Sequence, residues 1–468
     1  MREATSKNSI DILGGNLWKG LLLFALPLAA SSILQQLFNS VDVAVVGQFD
    51  SNQAVAAVGS NSPVINLFVN LFVGLAGGAN VVIASYIGRG KVDRVENSIH
   101  TAILLGLISG FIMLGVGVGV AEPILRLMNS PEDVLPLAAR YLRIYSLGMP
   151  FILTYNFGAA ILRSVGDTKR PLYTLIASGL INTGLNVLLV VVFKLSVVGV
   201  AIATTVSNAF NAIVVIVLLL KEKGMLKLKI NKLCIKKTEL LQILKIGIPA
   251  GVQGIVFSLS NIFIQSAVNR FGSTVMAGST AGLNFEAFSY CVVNAFSHAA
   301  ATFIGQNFAA GNTDRCKKVF RISLLYAAGI SGLMCAVFVI FRRFFAGLYT
   351  ADNEACTYAM MRMLYVLSFA CLTSTYEIPA GAMRGLSHAL VPAALTVFGS
   401  CVLRIIWVYT VAAKFSTYLM LIIIYPISWA MTGLFVMTAY FICAAKEYKK
   451  SFTPPNKADE AEEGNVGA

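Results

Sequence analysis

The sequence predicts an all-α integral membrane protein: twelve transmembrane helices form two parallel-repeat six-helix bundles around a central cavity. Of the 468 residues, 57% are hydrophobic and only 12% are charged, about half the charged fraction of an ordinary soluble protein. Twelve long apolar runs follow one another along the chain, and the second six resemble the first six. This composition excludes a soluble multidomain protein and a mostly disordered chain.

Each apolar run is long enough to cross the membrane, because a helix of about 20 residues spans a hydrocarbon core of roughly 30 Å. The first two runs and the eighth exceed this length, so we expect them to tilt or to extend beyond the bilayer. The predicted spans are 17–47, 54–86, 95–120, 135–161, 170–193, 195–220, 240–268, 275–308, 318–345, 360–383, 389–412 and 416–445.

The positive charges predict the orientation of the chain. Most of the 36 Lys and Arg residues fall on the side of the N-terminus, with the largest cluster at 221–245. Because such residues concentrate on the cytoplasmic side, we expect both termini in the cytoplasm and the protein in the cell (inner) membrane. The polar first ten residues lack the pattern of a cleavable signal peptide. The net charge of +14 is therefore assigned to loops, not to nucleic-acid binding.

The two halves match each other at a separation of 221–222 residues, which indicates a duplicated six-helix unit. The matching pairs include Leu26-Pro27 with Ile248-Pro249, Asn39 with Asn261, Arg163 with Arg384 and Pro171 with Pro392. Because six is even, both copies enter the membrane in the same direction, and their pseudo-two-fold axis lies along the membrane normal. Rocking of one bundle against the other would expose the central cleft to either side, as in a carrier.

This duplication predicts the domain organisation. We expect an N-lobe over 1–220, a basic cytoplasmic linker over 221–239 and a C-lobe over 240–445. The remaining residues, 446–468, are expected to form a disordered cytoplasmic tail that includes the acidic stretch 459–463.

Motifs in both halves resemble the MATE (multidrug and toxic compound extrusion) transporters, most closely the bacterial DinF/MepA-like branch. The similar segments are Leu26-Pro27 with Phe38-Asn39-Ser40-Val41-Asp42, Gly158 to Arg163 with Gly166-Asp167-Thr168, and Gly305-Gln306-Asn307. The resemblance covers roughly residues 15–445. It implies multidrug efflux: a secondary active antiporter that exports amphipathic, often cationic compounds in exchange for H⁺ or Na⁺, by rocker-switch alternating access.

Asp42 is the first candidate for binding the coupling ion. A carboxylate near the middle of a membrane helix costs about 2.5–3.5 kcal/mol to insert, so we expect it to face a polar cavity, where it can bind and release a proton. Gln35, Asn39 and Asp42 recur at three- or four-residue spacing and predict one polar stripe. The alternative is a structural hydrogen-bonding residue near the outer interface.

Asn182 and Asn186 lie four residues apart on the fifth span and therefore share a face. The resemblance implies that they lie beside Asp42, with Thr204 of the sixth span as a further neighbour. A Na⁺ ion could be held by Asp42, Asn182 and Asn186. Alternatively, the asparagines only join helices, at roughly 0.6 kcal/mol per hydrogen bond. Some relatives carry an acid where Asn186 stands, so Asp42 is the only acid expected in the N-terminal cavity.

Glu286 and Glu377 are the acids of the apolar runs in the second half. Both are candidates for a cation site or for direct contact with a cationic drug. Some relatives pair a tenth-helix acid with one on the seventh helix, but the seventh span here has no acid. Seven residues of helix separate Glu377 from Arg384 by about 10 Å, so an ion pair is not expected without a bend at Pro379.

Other polar and aromatic residues are predicted to contact substrate, since drug cavities require such side chains. With the two acids they form the predicted substrate or C-lobe cavity: Gln35, Asn39, Tyr155, Asn156, Asn284 and Tyr376. Pro27 is predicted to let the first helix change shape with the charge of Asp42, although prolines are often merely tolerated in membrane helices.

Two further features of the apolar runs predict local structure. Arg404 lies within the eleventh span and is expected to snorkel to the interface or to pair locally. The glycine pairs Gly106/Gly110 and Gly247/Gly251 have GxxxG spacing and are expected to pack within their own lobes.

Enzymatic function is not indicated. The sequence has no HExxH motif, no G-x-S-x-G in a triad context and no Walker A motif for ATP coupling. Its eight cysteines are not spaced for zinc or disulfides. No cofactor is expected besides the coupling ion, and we expect a monomer in the lipid bilayer that binds small amphipathic or cationic molecules and no nucleic acid.

The alternative function is a lipid-linked saccharide flippase of the same superfamily. A polyanionic substrate would favour buried Arg and Lys. The acids expected inside the membrane, Asp42, Glu286 and Glu377, outnumber the one base, Arg404. This count favours cationic cargo.

Overall fold

The structure is a computed structural model that describes residues 10–128, 131–349, 352–415 and 417–451. Within these ranges every regular element is a helix, and no strand is present. The predicted acidic stretch 459–463 lies outside the described residues.

The first half of the chain folds into seven helices. These are α1 Leu17–Phe49, α2 Asn52–Gly88, α3 Val92–Leu127, α4 Leu135–Leu147, α5 Met149–Ser164, α6 Lys169–Asn186 and α7 Ser196–Lys221. The fourth predicted span is broken between α4 and α5 by a bend of 47°. Pro150 at the start of α5 has no backbone N–H to donate to the preceding turn, which explains the break. A π-helical turn, Val187–Val192, extends α6.

The second half contains eleven helices. These are α8 Lys237–Asn269, α9 Ser273–Ala309, α10 Thr313–Ile340, α11 Arg342–Gly347, α12 Asn353–Tyr365, α13 Ser374–Gly385, α14 Leu390–Thr396, α15 Leu403–Trp407, α16 Ala413–Phe415, α17 Tyr418–Ile422 and α18 Ile424–Ser451. The 3-10 segment Leu367–Thr373 joins α12 to α13, and the π-turns Val397–Val402 and Val408–Ala412 connect α14, α15 and α16.

Membrane-crossing lengths agree with the sequence prediction. Eleven continuous helical stretches of the described ranges are long and apolar enough to cross a bilayer, and the bent pair α4–α5 makes a twelfth span. Four of the eleven combine several of the elements above: α6 with its π-turn, α12 with α13, α14 to α16, and α17 with α18. The all-helical fold with twelve spans is therefore confirmed. Two large apolar cores are present, one around Phe157 and one around Phe296, and the second also includes the first part of α1, with Leu21 and Phe24.

The two halves meet along α2 and α8, and α1 and α2 also contact α9. Glycines bring the first pair together: a Cβ on Gly78 would lie 2.8 Å from the Gly247 nitrogen, and one on Gly251 would lie 2.5 Å from the Leu71 carbonyl oxygen. Backbone therefore packs on backbone between the lobes, a contact that small residues make possible.

This contact corrects the prediction for Gly247 and Gly251. Gly106 and Gly110 do pack within the N-lobe, against Phe157 and Pro150, but Gly247 and Gly251 face α2 of the other lobe. GxxxG spacing identifies a helix face that accepts a close neighbour, but it does not identify that neighbour.

Side-chain bonds also join the lobes, toward the end where α2 ends and α8 begins. Thr302 donates to Asn80 at 2.8 Å, Tyr86 donates to Gln242 at 2.9 Å, Arg94 pairs with Glu239 at 2.8 Å, and Gln306 donates to the Ser164 carbonyl at 2.5 Å. We call these four bonds, together with the glycine contacts of α2 and α8, the inter-lobe seam. The seam holds the lobes together at one end of the central cleft.

Candidate functional site

Asp42 lies in a buried polar cluster between α1, α6 and α7. Asn186 Nδ2 donates to Asp42 Oδ1 at 2.5 Å, and Thr204 Oγ1 lies 3.4 Å from Oδ2. Asn186 Nδ2 also lies 3.2 Å from Asn182 Oδ1, and Asn182 Nδ2 lies 3.4 Å from Thr204 Oγ1. The structure thus brings together all four residues that the family resemblance placed in one site.

The cluster offers oxygen atoms to a cation. Only 7% of Asp42 is exposed, and none of the described residues provides a basic partner for its carboxylate. Asn186 Oδ1 is buried and accepts no hydrogen bond from any residue that the structure describes. Carboxylate, amide and hydroxyl oxygens suit a hard cation, so this donor set fits either Na⁺ or a proton on Asp42.

The predicted polar stripe on α1 does not extend beyond Asp42. Gln35 and Asn39 are exposed, and among the described residues neither is bonded to the cluster. Gln35 and Asn39 share a helix face with Asp42 by spacing. Among the described residues, however, the side-chain hydrogen bonds from α6 and α7 to α1 reach Asp42 alone.

A second polar region lines the cavity between the lobes. Its volume is about 510 Å³, within the usual range for small-molecule sites. Both lobes contribute to it, through α2 on one side and through α8, α9, α13, α15 and α18 on the other. Its polar and aromatic lining includes Asn70, Asn80, Ser258, Asn261, Glu286, Tyr290, Asn294, His298, Tyr376, Glu377, Arg384, Arg404, Tyr425 and Trp429.

Glu286 is already neutralised by a neighbouring arginine. Arg362 of α12 donates to both of its carboxylate oxygens, at 2.6 Å from Nε and 3.1 Å from Nη2. The Arg362 side chain is 2% exposed, and its Nη1 donates to Ser279 at 2.9 Å. Paired in this way, the Glu286 carboxylate offers no net negative charge to a coupling cation or a cationic drug, and its predicted role in transport stays a prediction.

Glu377 also has a basic partner. Arg384 Nη2 lies 3.7 Å from Glu377 Oε2, and Tyr290 donates to Oε1 at 2.9 Å. The prediction that seven residues of helix would keep Glu377 and Arg384 apart is wrong. Seven residues make two turns, so both side chains lie on one face, and the long arginine side chain leans toward the helix N-terminus.

Arg404 pairs locally, which is one of the two alternatives predicted for it, and none of the described residues gives it an acidic partner. It is 1% exposed, and its Nε donates to Ser428 Oγ at 2.9 Å. Its guanidinium carbon lies 4.5 Å from the ring centre of Tyr425 and 5.5 Å from that of Phe257. The π-turns on both sides of α15 place this residue in the interior, which apolar composition alone did not predict.

The charge balance at this cavity differs from the sequence expectation. Glu286, Glu377, Arg384 and Arg404 line the cavity, and Arg362 pairs with Glu286 from outside that lining. Three guanidinium groups therefore accompany two carboxylates. The excess of acids that favoured cationic cargo is therefore absent from this part of the interior.

The remaining predicted residues divide into two groups. Tyr376 lines the cavity. Tyr155 donates to the Pro171 carbonyl, Asn156 to the Ile152 carbonyl and Asn284 to the Thr280 carbonyl, and none of these three lines the central cavity. Pro27 lies inside α1, and its carbonyl accepts a hydrogen bond from Ser31 at 2.8 Å.

Arg362 is the charged residue beside the cavity that the sequence analysis missed, and the cavity-lining His298, Tyr425 and Trp429 were not predicted either. Arg362 falls inside the predicted span 360–383, so a charge in an apolar run was the available signal. Its partner Glu286 lies 76 positions earlier on another helix, and no spacing rule joins residues that far apart.

The sequence model of the MatE family matches the chain twice, over residues 27–188 and 249–410. The probable multidrug resistance protein YoeA of Bacillus subtilis is 31% identical over 392 residues, which are 82% of this chain and 84% of that protein. The multidrug export protein MepA of Staphylococcus aureus is 23% identical over 339 residues, 72% and 74% of the two chains.

A solved structure shares the fold. The crystal structure of MATE in the bent conformation matches with a TM-score of 0.87 at 20% identity, over 96% of this chain and 100% of that chain. The two family matches together cover more than half of the sequence and begin 222 residues apart, the separation at which the chain resembles itself. This chain is therefore a member of the MATE family of multi-pass membrane transporters.

Proposed function

We propose that this chain is a secondary active antiporter of the cell membrane that exports amphipathic compounds in exchange for H⁺ or Na⁺. The multidrug export described by the names of its relatives supports the direction and type of transport. The observation that carries the coupling proposal is the buried Asp42 carboxylate, which has polar neighbours and no basic partner in the described part of the chain.

The coupling ion would act by changing the charge of the Asp42 cluster. A proton would neutralise the carboxylate, and a Na⁺ ion would be held by Asp42 together with the oxygens of Asn182, Asn186 and Thr204. In either case the cluster changes from an uncompensated charge to a neutral site, which alters the cost of keeping it buried. A conformation that buries the cluster is then favoured only when the ion is bound.

The inter-lobe seam supports a rocker-switch cycle. The seam joins the lobes at the end where α1 begins and α2 ends. With the N-terminus in the cytoplasm, as the positive charges predict, this state is closed to the cytoplasm. We infer that ion binding at Asp42 in this state precedes opening of the seam toward the cytoplasm, where the ion leaves and the next substrate enters.

The energetics fit an ion-driven exporter. One elementary charge that moves down a potential of 100 mV releases about 2.3 kcal/mol. Because 1.4 kcal/mol corresponds to a factor of ten, this energy alone supports a substrate gradient of a few tens-fold. A concentration gradient of H⁺ or Na⁺ adds to it.

A flippase for a lipid-linked saccharide is the weaker candidate. Its polyanionic headgroup would require several uncompensated basic groups in the cavity. Two of the three guanidinium groups at this cavity are already paired with carboxylates. The charge balance therefore supports a substrate of low charge.

Efflux from proteoliposomes that contain the full chain tests the coupling role. We expect Asp42→Asn to abolish export of a fluorescent amphipathic cation driven by an imposed H⁺ or Na⁺ gradient, because the amide can neither be protonated at that position nor balance Na⁺. The gradient that drives export in the unaltered protein identifies the ion.

Asp133→Asn is the matched control, because it removes a carboxylate from an exposed turn before α4. It should export at the unaltered rate. Undiminished coupled export in folded Asp42→Asn would remove the coupling role of this residue. If the unaltered protein moves no compound with either gradient, the antiporter proposal fails.

A further inference from the structure

Arg404 is the guanidinium group at the central cavity that no carboxylate balances. Among the described residues, Arg362 pairs with Glu286 and Arg384 with Glu377, whereas no acid lies within ion-pair distance of Arg404. With both pairs neutral, the lining of the cavity carries one excess positive charge.

The local bonds of Arg404 leave part of its hydrogen-bonding capacity unused. Nε donates to Ser428, but Nη2 is buried and finds no acceptor in the described part of the chain. The faces of Tyr425 and Trp429, whose ring centres lie 4.5 Å and 6.0 Å from the guanidinium carbon, also line the cavity. The aromatic faces attract the cation but accept no conventional hydrogen bond from Nη2.

A buried guanidinium group of this kind is a receptor for a small anion. Its planar fork matches the geometry of a carboxylate and binds it with charge-assisted bonds that are stronger than those of neutral groups. The neighbouring aromatic rings offer an apolar surface to the rest of the same molecule. The site therefore combines the two features that an amphipathic anion requires.

We propose that Arg404 forms a binding subsite for the carboxylate of an amphipathic, singly charged organic anion, whose apolar body lies against Tyr425 and Trp429. This inference rests on the proposed function, in which the cavity between the lobes receives the exported compound. The single excess charge selects a monoanion, because its complex with the cavity is electrically neutral.

The duplication of the chain supports a special role for this position. The nearest matched pairs, Arg163 with Arg384 and Pro171 with Pro392, are 221 residues apart, and at this separation Arg404 corresponds to Thr183, the neighbour of Asn182 in the Asp42 cluster. The N-lobe thus has a negative site and the C-lobe has a positive one that involve corresponding helices. A substrate anion and a coupling cation would then occupy separate sites instead of competing for one.

Binding of three matched probes tests the proposal. Each has a naphthalene ring and a butyl chain, and they end in a carboxylate, a hydroxyl or a trimethylammonium group. Calorimetric titration uses the full chain in nanodiscs of zwitterionic lipid, with empty nanodiscs subtracted, at pH 8, where a histidine such as His298 is ordinarily neutral. We expect the carboxylate to bind at least tenfold more tightly than the hydroxyl, and equal affinities would overturn the proposal.

Variants locate the anion site. Arg404→Gln should weaken carboxylate binding at least tenfold and leave the hydroxyl probe within twofold, and Arg404→Lys should fall between. Arg343→Gln removes a positive charge from an exposed position and should leave all three affinities unchanged. Unchanged carboxylate affinity in folded Arg404→Gln overturns the proposal. If that variant does not fold, Arg404→Lys and the head-group comparison on the unaltered protein decide it.

The result is separable from the proposed function, because these titrations use no ion gradient. Loss of the carboxylate preference together with intact gradient-driven export in the Asp42 experiment would refute the anion subsite alone. Loss of gradient-driven export with an intact, Arg404-dependent carboxylate preference would refute the antiporter alone.

Discussion

The pair of Glu286 and Arg362 allows a quantitative test of whether Glu286 is structural. Glu286→Gln keeps the size and one acceptor oxygen of the side chain but removes its charge. Arg362, whose side chain is 2% exposed, would then be a buried cation without a counterion. We therefore expect the variant to be destabilised and not merely uncoupled.

The size of the loss in the free energy of unfolding follows from the contacts that Arg362 keeps in this variant. Removal of one partner of a buried ion pair typically costs about 3–5 kcal/mol. Arg362 would keep its bond to Ser279 at 2.9 Å and its position 4.9 Å from the ring centre of Tyr425. We therefore expect a loss near the lower limit, about 3 kcal/mol in the free energy of unfolding.

A double-mutant cycle separates the interaction free energy of Glu286 and Arg362 from the contributions of their surroundings. Glu286→Gln with Arg362→Met removes both charges of the pair, so neither residue is left as a buried ion without a partner. We expect the double variant to unfold within about 1 kcal/mol of the unaltered protein. Unfolding in mixed detergent micelles by titration with sodium dodecyl sulfate measures these differences.

Glu354→Gln is the control, because Glu354 is an exposed carboxylate in the first turn of α12. It should unfold like the unaltered protein. If Glu286→Gln is fully stable and yet loses gradient-driven export, Glu286 serves transport and the structural reading is refuted. If the double variant is as unstable as Glu286→Gln, the cost does not come from the unpaired arginine.

Two further predictions concern the inter-lobe seam and the cavity charge. Gly251→Ala should lower the free energy of unfolding by about 1–3 kcal/mol, the usual cost of overpacking, because its Cβ would meet the Leu71 carbonyl. Gly329→Ala has open space around the new Cβ and should show no such loss in the same titration; equal losses would contradict the argument. Glu377→Gln leaves Arg384 unbalanced and should tighten carboxylate-probe binding severalfold in calorimetry, whereas weaker binding would show that Glu377 does not oppose the anion.

The sequence predicted the fold because its signals are long and repetitive. Twelve apolar runs and a constant separation between halves each extend over hundreds of residues, so errors of a few positions at helix ends do not change the topology. Irregular turns were not predicted. The π-turns around α15 and the 3-10 segment before α13 depend on packing between helices and leave little trace in composition.

The N-terminal cluster was predictable because spacing on one helix and family resemblance agreed on Asp42, Asn182, Asn186 and Thr204. The C-terminal cavity was not predictable in the same way. Whether Glu286 and Glu377 are free acids depends on arginines that contact them in three dimensions. A seven-residue separation places Glu377 and Arg384 on the same face of a helix. The rise of about 10 Å between their backbones is spanned by the long arginine side chain, so the distance along the axis alone does not exclude the pair.

The inter-lobe seam has a consequence for the energy that drives the transport cycle. Its four side-chain bonds must break before the lobes separate at that end, and each contributes about 0.5–1.5 kcal/mol net. Separation of the lobes therefore costs about 2–6 kcal/mol in these bonds alone. One charge that moves across 100 mV gains roughly 2.3 kcal/mol, so the membrane voltage alone offsets the loss of these bonds only near the lower limit of that range.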